Sequence, residues 1–239
     1  MKNRLGIALI ATGLIMSVGV GLGLWFVGDG FRARAVTGVS STGSAVLAAT
    51  ADTAVWSISI TARDVDSARA AQRVAASLPK VRKYFVSAGM TADQFTVGSL
   101  NTYTVDTGNG AQQTEASLSF SVRTSDVQKI AGLNAKVMDL LAVIPDVNVT
   151  TNQPQYFLSN LDALRPKVQE AAVKDAAARA QTMADALGVR LGKPLSIRAN
   201  SITVTAPDVI EGDFGGYDLS TIAKTVRAVV SVTFEVLAK

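Results

Sequence analysis

The sequence contains neither histidine nor cysteine. Imidazole bases, thiol nucleophiles, disulfides and the usual zinc and copper ligands are excluded together, leaving carboxylates, lysines, hydroxyls and backbone for any chemistry. Three groupings of those residues stand out. Asp175, Arg179 and Asp185 share one helical stretch, but Asp175 and Arg179 stand four apart and read first as a surface ion pair of a few tenths of a kcal/mol. Glu170 and Lys174 repeat that spacing with the acid leading. Lys80, Arg82 and Lys83 make a basic cluster suited to anionic lipid or an acidic partner, or simply to a solvated helix face. The stretch Glu211-Gly212-Asp213-Phe214-Gly215-Gly216-Tyr217-Asp218 offers acids but lacks the ordered ligands and closing glutamate of an EF-hand, so no metal is expected there. Its aromatic residues, Phe214 and Tyr217, are the candidates for contact with another protein, such as a neighbouring subunit. Gly-x-Ser-x-Gly, Walker and dinucleotide-binding patterns are absent. The expectation is therefore no enzyme and no cofactor.

The elements begin with Leu5 to Val27, which carries no ionisable side chain. As a helix it would rise roughly 35 Å at about 1.5 Å per residue, against a hydrocarbon core of about 30 Å. The sequence thus predicts an N-terminal transmembrane helix, with residues 1–35 as membrane anchor and linker and the lipid bilayer as partner through 5–27. A cleaved signal sequence is the rival reading, because Ala33-Arg34-Ala35 has a small-x-small pattern; Asp29, Arg32 and Arg34 crowd that region and the apolar run is long for a signal core. Gly13, Ser17 and Gly21 repeat every four residues, and Gly19 and Gly23 form a second pair, a spacing that lets two membrane helices self-associate. Lys2 and Arg4 before the run lean toward an exported body.

Four of the 23 basic residues and one of the 19 acidic ones fall within 1–35, leaving 19 against 18 beyond it. That balance gives no electrostatic case for nucleic acid.

Past the anchor the period switches between strand and helix. Val36 to Leu47 reads as a glycine-interrupted strand, and Asp52 to Thr61 alternates cleanly, with Ala54, Trp56, Ile58 and Ile60 on one face. Asp64 or Asp66 caps a helix that ends near Gly89 and that Pro79 should bend or split. Phe95–Val105 and Thr114–Arg123 read as paired strands, Ser125 as the cap of a helix stopped by Pro145, and Val147–Leu158 as another extended segment. Residues 51–158 thus predict a ferredoxin-like βαββαβ plait lobe. Residues 36–50 plus 159–239 predict a second α+β lobe around a long helix, 161–187, with strands at Leu195–Thr205 and Thr225–Leu237. The fold class expected is α+β: a transmembrane helix followed by a two-lobed ectodomain.

Several strings resemble the SIMPL-domain family of bacterial envelope proteins, long catalogued as a domain of unknown function. They are Val36-Thr37-Gly38 with Gly43, Ala51-Asp52-Thr53-Ala54, and Gly89-Met90 through Asp93-Gln94-Phe95-Thr96. The longest are Ala171-Ala172-Val173-Lys174-Asp175-Ala176 through Arg179-Ala180, and Ala184-Asp185-Ala186-Leu187-Gly188-Val189 with Leu191-Gly192-Lys193-Pro194. Ala51 stands where such proteins often have proline. The resemblance implies a two-lobed α+β body, export, frequent oligomers and a role in envelope or oxidative-stress tolerance; it transfers no catalytic residue.

The function expected is a noncatalytic, single-pass protein of the bacterial inner membrane, its C-terminal domain in the periplasm, self-assembled into a homo-oligomer. The alternative is a periplasmic ligand-binding module using a cleft between lobes.

Overall fold

The computed structural model describes residues 38–106, 108, 112–207, 209 and 216–238. Its elements are β1 (Gly38–Thr50), β2 (Thr53–Asp64), α1 (Ser67–Ser87), a 3-10 turn (Ala92–Gln94), β3 (Phe95–Asp106), β4 (Gln112–Thr124), α2 (Val127–Ala135), α3 (Val137–Val143), β5 (Asn148–Thr151) and β6 (Gln155–Phe157). The chain continues through α4 (Leu161–Ala186), β7 (Arg190–Ala199), β8 (Thr203–Thr205) and β9 (Ala223–Leu237). Two compact units divide it. One takes the chain up to Gly43, Ala172–Ala199 and the residues from Val230 on; the other takes Ser44–Ala171 and Asn200–Val229.

The expected fold class, a transmembrane helix followed by a two-lobed α+β ectodomain with a ferredoxin-like plait, is corrected to a mixed α/β structure with two antiparallel sheets. One has five strands in the order β3-β4-β2-β5 with β6 also on β2; the other has four, β1-β9-β7 with β8 on β9. The segment expected as one closing strand, 147–158, forms two: the Asn152 N–H still donates to the Ser57 carbonyl at 3.2 Å, but its own carbonyl accepts the Trp56 indole N–H at 2.9 Å, and Pro154 follows without a donor. Among the described residues no helix is long and apolar enough to cross a membrane. α4 has the length, at 26 residues, but Arg165, Lys167, Glu170, Lys174 and Asp175 charge it throughout. The expected span at 5–27, with Gly13, Ser17, Gly19, Gly21 and Gly23, lies outside the described residues.

In the second unit, strand alternation builds the core. Trp56, Ile58 and Ile60 of β2 and Phe120 and Val122 of β4 turn one way and are buried beneath α1 and α2. Phe85 of α1 is the hub: its ring meets Trp56 edge-on at 5.7 Å and 82°, and stacks on Phe120 at 5.7 Å and 27°. The side chain of Asp66 caps α1 by accepting from Ala68 N at 2.9 Å, as its sequence position suggests. Pro79 neither splits nor ends α1, which runs unbroken from Ser67 to Ser87. Asp126, not Ser125, caps α2, accepting from Lys129 N at 3.1 Å.

In the first unit, the carboxyl-terminal part of α4 packs through alanines: Ala172, Ala176, Ala180 and Ala184 are all buried. Small side chains allow close approach, and Gly43 of β1 completes it. A Cβ at Gly43 would lie 2.3 Å from the Ala172 carbonyl oxygen. Gly188, at φ +69°, supplies the left-handed exit from α4.

Candidate functional site

Alternation along β9 turns Lys224, Val226 and Ala228 inward, so a lysine enters a core position at the strand's start. Its side chain is wholly excluded from solvent. A buried ammonium is tolerated only when paired and hydrogen-bonded. Here Nζ donates to Asp218 Oδ2 at 2.8 Å and to the Asp218 carbonyl oxygen at 2.6 Å. Ser220 N and Oγ donate to Asp218 Oδ1 at 2.9 and 2.7 Å, and the Thr221 hydroxyl donates to Oδ2. Burial pushes the Asp218 carboxyl up, but Lys224, Thr221 and Ser220 outweigh it and hold the group far below the usual carboxylate range.

Further hydrogen bonds within the same unit fix this loop. Tyr156 N donates to the Leu219 carbonyl at 2.8 Å, and Ala51 N to the Ile222 carbonyl at 2.8 Å. Tyr217 Oη accepts from Leu158 N at 2.7 Å. Beside it, Asp52 Oδ1 accepts from Ser159 N at 2.9 Å and from the Thr53 hydroxyl at 3.1 Å. Burial raises the Asp52 carboxyl, the Ser159 and Thr53 bonds lower it, and the balance lies below the ordinary value. Chemically this is a clamp: the Lys224 amine is committed to Asp218, and both carboxylate oxygens of Asp218 are occupied by hydrogen bonds.

A second polar group lies on the five-stranded sheet. Glu115, though buried, accepts from the Tyr103 hydroxyl and the Arg63 guanidinium. Those two hydrogen bonds, Tyr103 first, draw the Glu115 carboxyl down, while the bond to Glu115 pushes the Tyr103 phenol up. On the same face run cross-strand hydroxyl pairs, Ser57 with Ser121, Ser59 with Ser119 and Thr61 with Ser117. Among the described residues of this face Glu115 is the acid in line with these pairs, and both its oxygens are engaged by Arg63 and Tyr103.

An exposed edge strand lies in the first unit. Among the described residues β7 ends its sheet with β9 on one side only, and most of its residues are open to solvent. Leu195 and Ile197 are 40% and 60% exposed. Register shifts at Leu191/Pro194 and Pro194/Ser196 break the first half of the ladder, whereas Ser196 to Ala199 pairs regularly with Thr233 to Val230.

The sequence-stated site residues fall unevenly on this frame. Phe214 lies outside the described residues; Tyr217 has an exposed ring whose hydroxyl is already engaged within its own unit. Asp175 and Arg179 make the expected pair at 2.9 Å, and Asp185 instead accepts from the Gln181 amide at 2.9 Å, so the three do not form one site. Among the described residues no three acids gather in a metal-holding group. Sequence reading missed Lys224 and Asp218 as partners; the signal was a lysine on the inward parity of an apolar strand.

No curated protein matches the sequence as a relative. The family described as SIMPL, a protein of unknown function (DUF541), matches residues 39–234, and the chain belongs to that family.

Proposed function

We propose that this SIMPL-family protein is a noncatalytic, exported assembly protein in which an open strand edge of one copy receives a strand of the next. The observation that carries the reading is β7: a long edge strand with unpaired backbone groups and exposed Leu195 and Ile197 is a template for another chain. Charge selects the partner strand. β7 carries Arg190, Lys193 and Arg198 and no acid, so two β7 strands side by side would set cation against cation. β1, at the other end of the same sheet order, has no ionisable residue. Pairing β7 of one copy with β1 of the next is head-to-tail, and such contacts close into rings when the rotation permits.

The test is the mass of the full chain by native mass spectrometry and sedimentation. Assembly that is lost in Ile197→Lys and retained when Gly13 and Gly21 are both changed to Leu supports the edge. A wild-type monomer at micromolar concentration, or assembly indifferent to Ile197→Lys, overturns it.

A further inference from the structure

Three cavities follow one another along α1, all within the second unit. The first, about 430 Å³, lies where Arg73, Ser77 and Lys80 face Ile144, Asp146 and Val147. A second, about 380 Å³, shares Arg73, Asp146 and Val147 with it and reaches Thr61 and Asn148. The third, about 400 Å³, shares Lys80 with the first and continues past Lys83, Tyr84 and Val143 to Ser87. From Arg73 to Ser87 a helix rises about 21 Å at ~1.5 Å per residue. The result is an elongated trough with one side formed by α1.

Its two ends differ in chemistry. At one, the Arg73 guanidinium donates to the Arg63 carbonyl at 3.1 Å and to the Asp146 carbonyl, which orient it without neutralising it. Lys80 Nζ stands 3.7 Å from the Asp146 carboxylate, a loose pair with both partners largely in solvent. At the other end the surfaces are the Tyr84 ring, Val143 at 40% exposed, and the aliphatic stems of Lys80 and Lys83. The Ser87 hydroxyl there is spent on the Tyr84 carbonyl at 2.7 Å. Burial and the nearby Asp139 charge both push the Tyr84 phenol up. Arg73 and Lys80 set two cations against the single Asp146 carboxylate at the first end, so an anionic head belongs there and an apolar body beside Tyr84 and Val143.

We propose that this trough binds a long-chain fatty acid, its carboxylate between Arg73 and Lys80 and its alkyl chain laid along α1 past Tyr84 and Val143. A peptide spanning the same length would bring roughly six residues at about 3.3–3.6 Å each, and their backbone groups need partners that the apolar end does not supply. An acyl chain brings no such groups. A small inorganic anion would use the Arg73 end alone and leave the remainder of the trough in water.

The experiment is isothermal titration of the full chain with palmitate below its aggregation threshold, with hexadecanol and hexanoate as the neutral and short-chain arms. The expected result is saturation at one palmitate per chain and much weaker binding of both controls. Palmitate affinity should fall about tenfold or more in Lys80→Glu and in Val143→Asp, the scale of one lost charge-assisted contact or of a charge set in an apolar seat. Both positions are solvent-exposed, so the variants should melt as wild type does. The apolar stretch 5–27 can take up acyl chains by itself, and these two substitutions separate that uptake from the trough. Palmitate affinity unchanged in both variants, or an acidic hexapeptide that displaces palmitate at lower concentration, overturns the proposal.

Discussion

Gly43 of β1 lies so close to Ala176 of α4 that a Cβ on the glycine would stand 2.2 Å from the Ala176 backbone nitrogen. The neighbouring atoms are backbone, including the Ala172 carbonyl oxygen, and cannot swing aside as a side-chain tip can. Gly43→Ala should therefore destabilise the protein by about 1–3 kcal/mol or more through overpacking. Denaturant melts measure it; a variant within about 0.5 kcal/mol of wild type, the range of neutral surface changes, would mean that β1 and α4 are further apart.

The Lys224–Asp218 pair gives a second expectation. Lys224→Met leaves a partly buried carboxylate without its cation and should cost about 3–5 kcal/mol. Adding Asp218→Asn should recover part of that loss, because the stranded charge goes with it. A double-variant loss equal to the sum of the Lys224→Met and Asp218→Asn losses would show that the pair is not coupled.

Acid should act on the same pair. The Asp218 carboxyl is held below its unfolded value, so the unfolded chain binds its proton more readily than the folded one. Its contribution to stability is complete above about pH 4 and is lost progressively as pH falls below that. Urea melts from neutral pH down to about pH 3 should show this acid limb in wild type, and Asp218→Asn should flatten it.

Phe85 touches Trp56 and Phe120 in the middle of the core, so Phe85→Ala should cost about 3–5 kcal/mol. A loss under about 1 kcal/mol in thermal melts would contradict the central place given to this ring.

The Tyr103 phenol is held up first by its hydrogen bond to Glu115. Replacing Glu115 with Gln removes the negative acceptor, and Tyr103 should then ionise at lower pH. Ultraviolet titration of the tyrosines, compared with Tyr103→Phe to assign the transition, reads this directly. An unchanged Tyr103 titration would exclude the contact.

Much of the second unit's fold is legible in the sequence because its signals are local. The alternation of Trp56, Ile58 and Ile60 places them on the buried face, and Gly89 adopts positive φ beyond its helix, as Gly188 does in the first unit. The spacing of Ala68, Ala71, Ala75, Leu78, Val81 and Phe85 reads as the inward face of α1, and it holds only in part: Val81 and Phe85 are buried, but Ala68 and Ala75 are exposed, while Ala70, Val74 and Ser77 are buried. Alanine-rich helices give a weak amphipathic signal, and a rotation of one or two positions leaves the pattern almost unchanged. In α4 the buried line passes through Ala184 and leaves Met183 39% exposed, for the same reason. The strand expected from Leu195 begins at Arg190 instead, so Gly192 and Pro194 lie inside β7, where the register shifts absorb them. Nor could spacing reveal the trough, since it joins α1 to Asp146 and Asn148 across most of the unit.

Lys224 has one more consequence, for measurement. Amine-reactive reagents meet Lys80 and Lys83 at the native surface, whereas the Lys224 ammonium is sealed from solvent and committed to Asp218. Its acylation must wait for the loop to open, so the pace at which that single lysine gains mass reports how often this part of the molecule breathes.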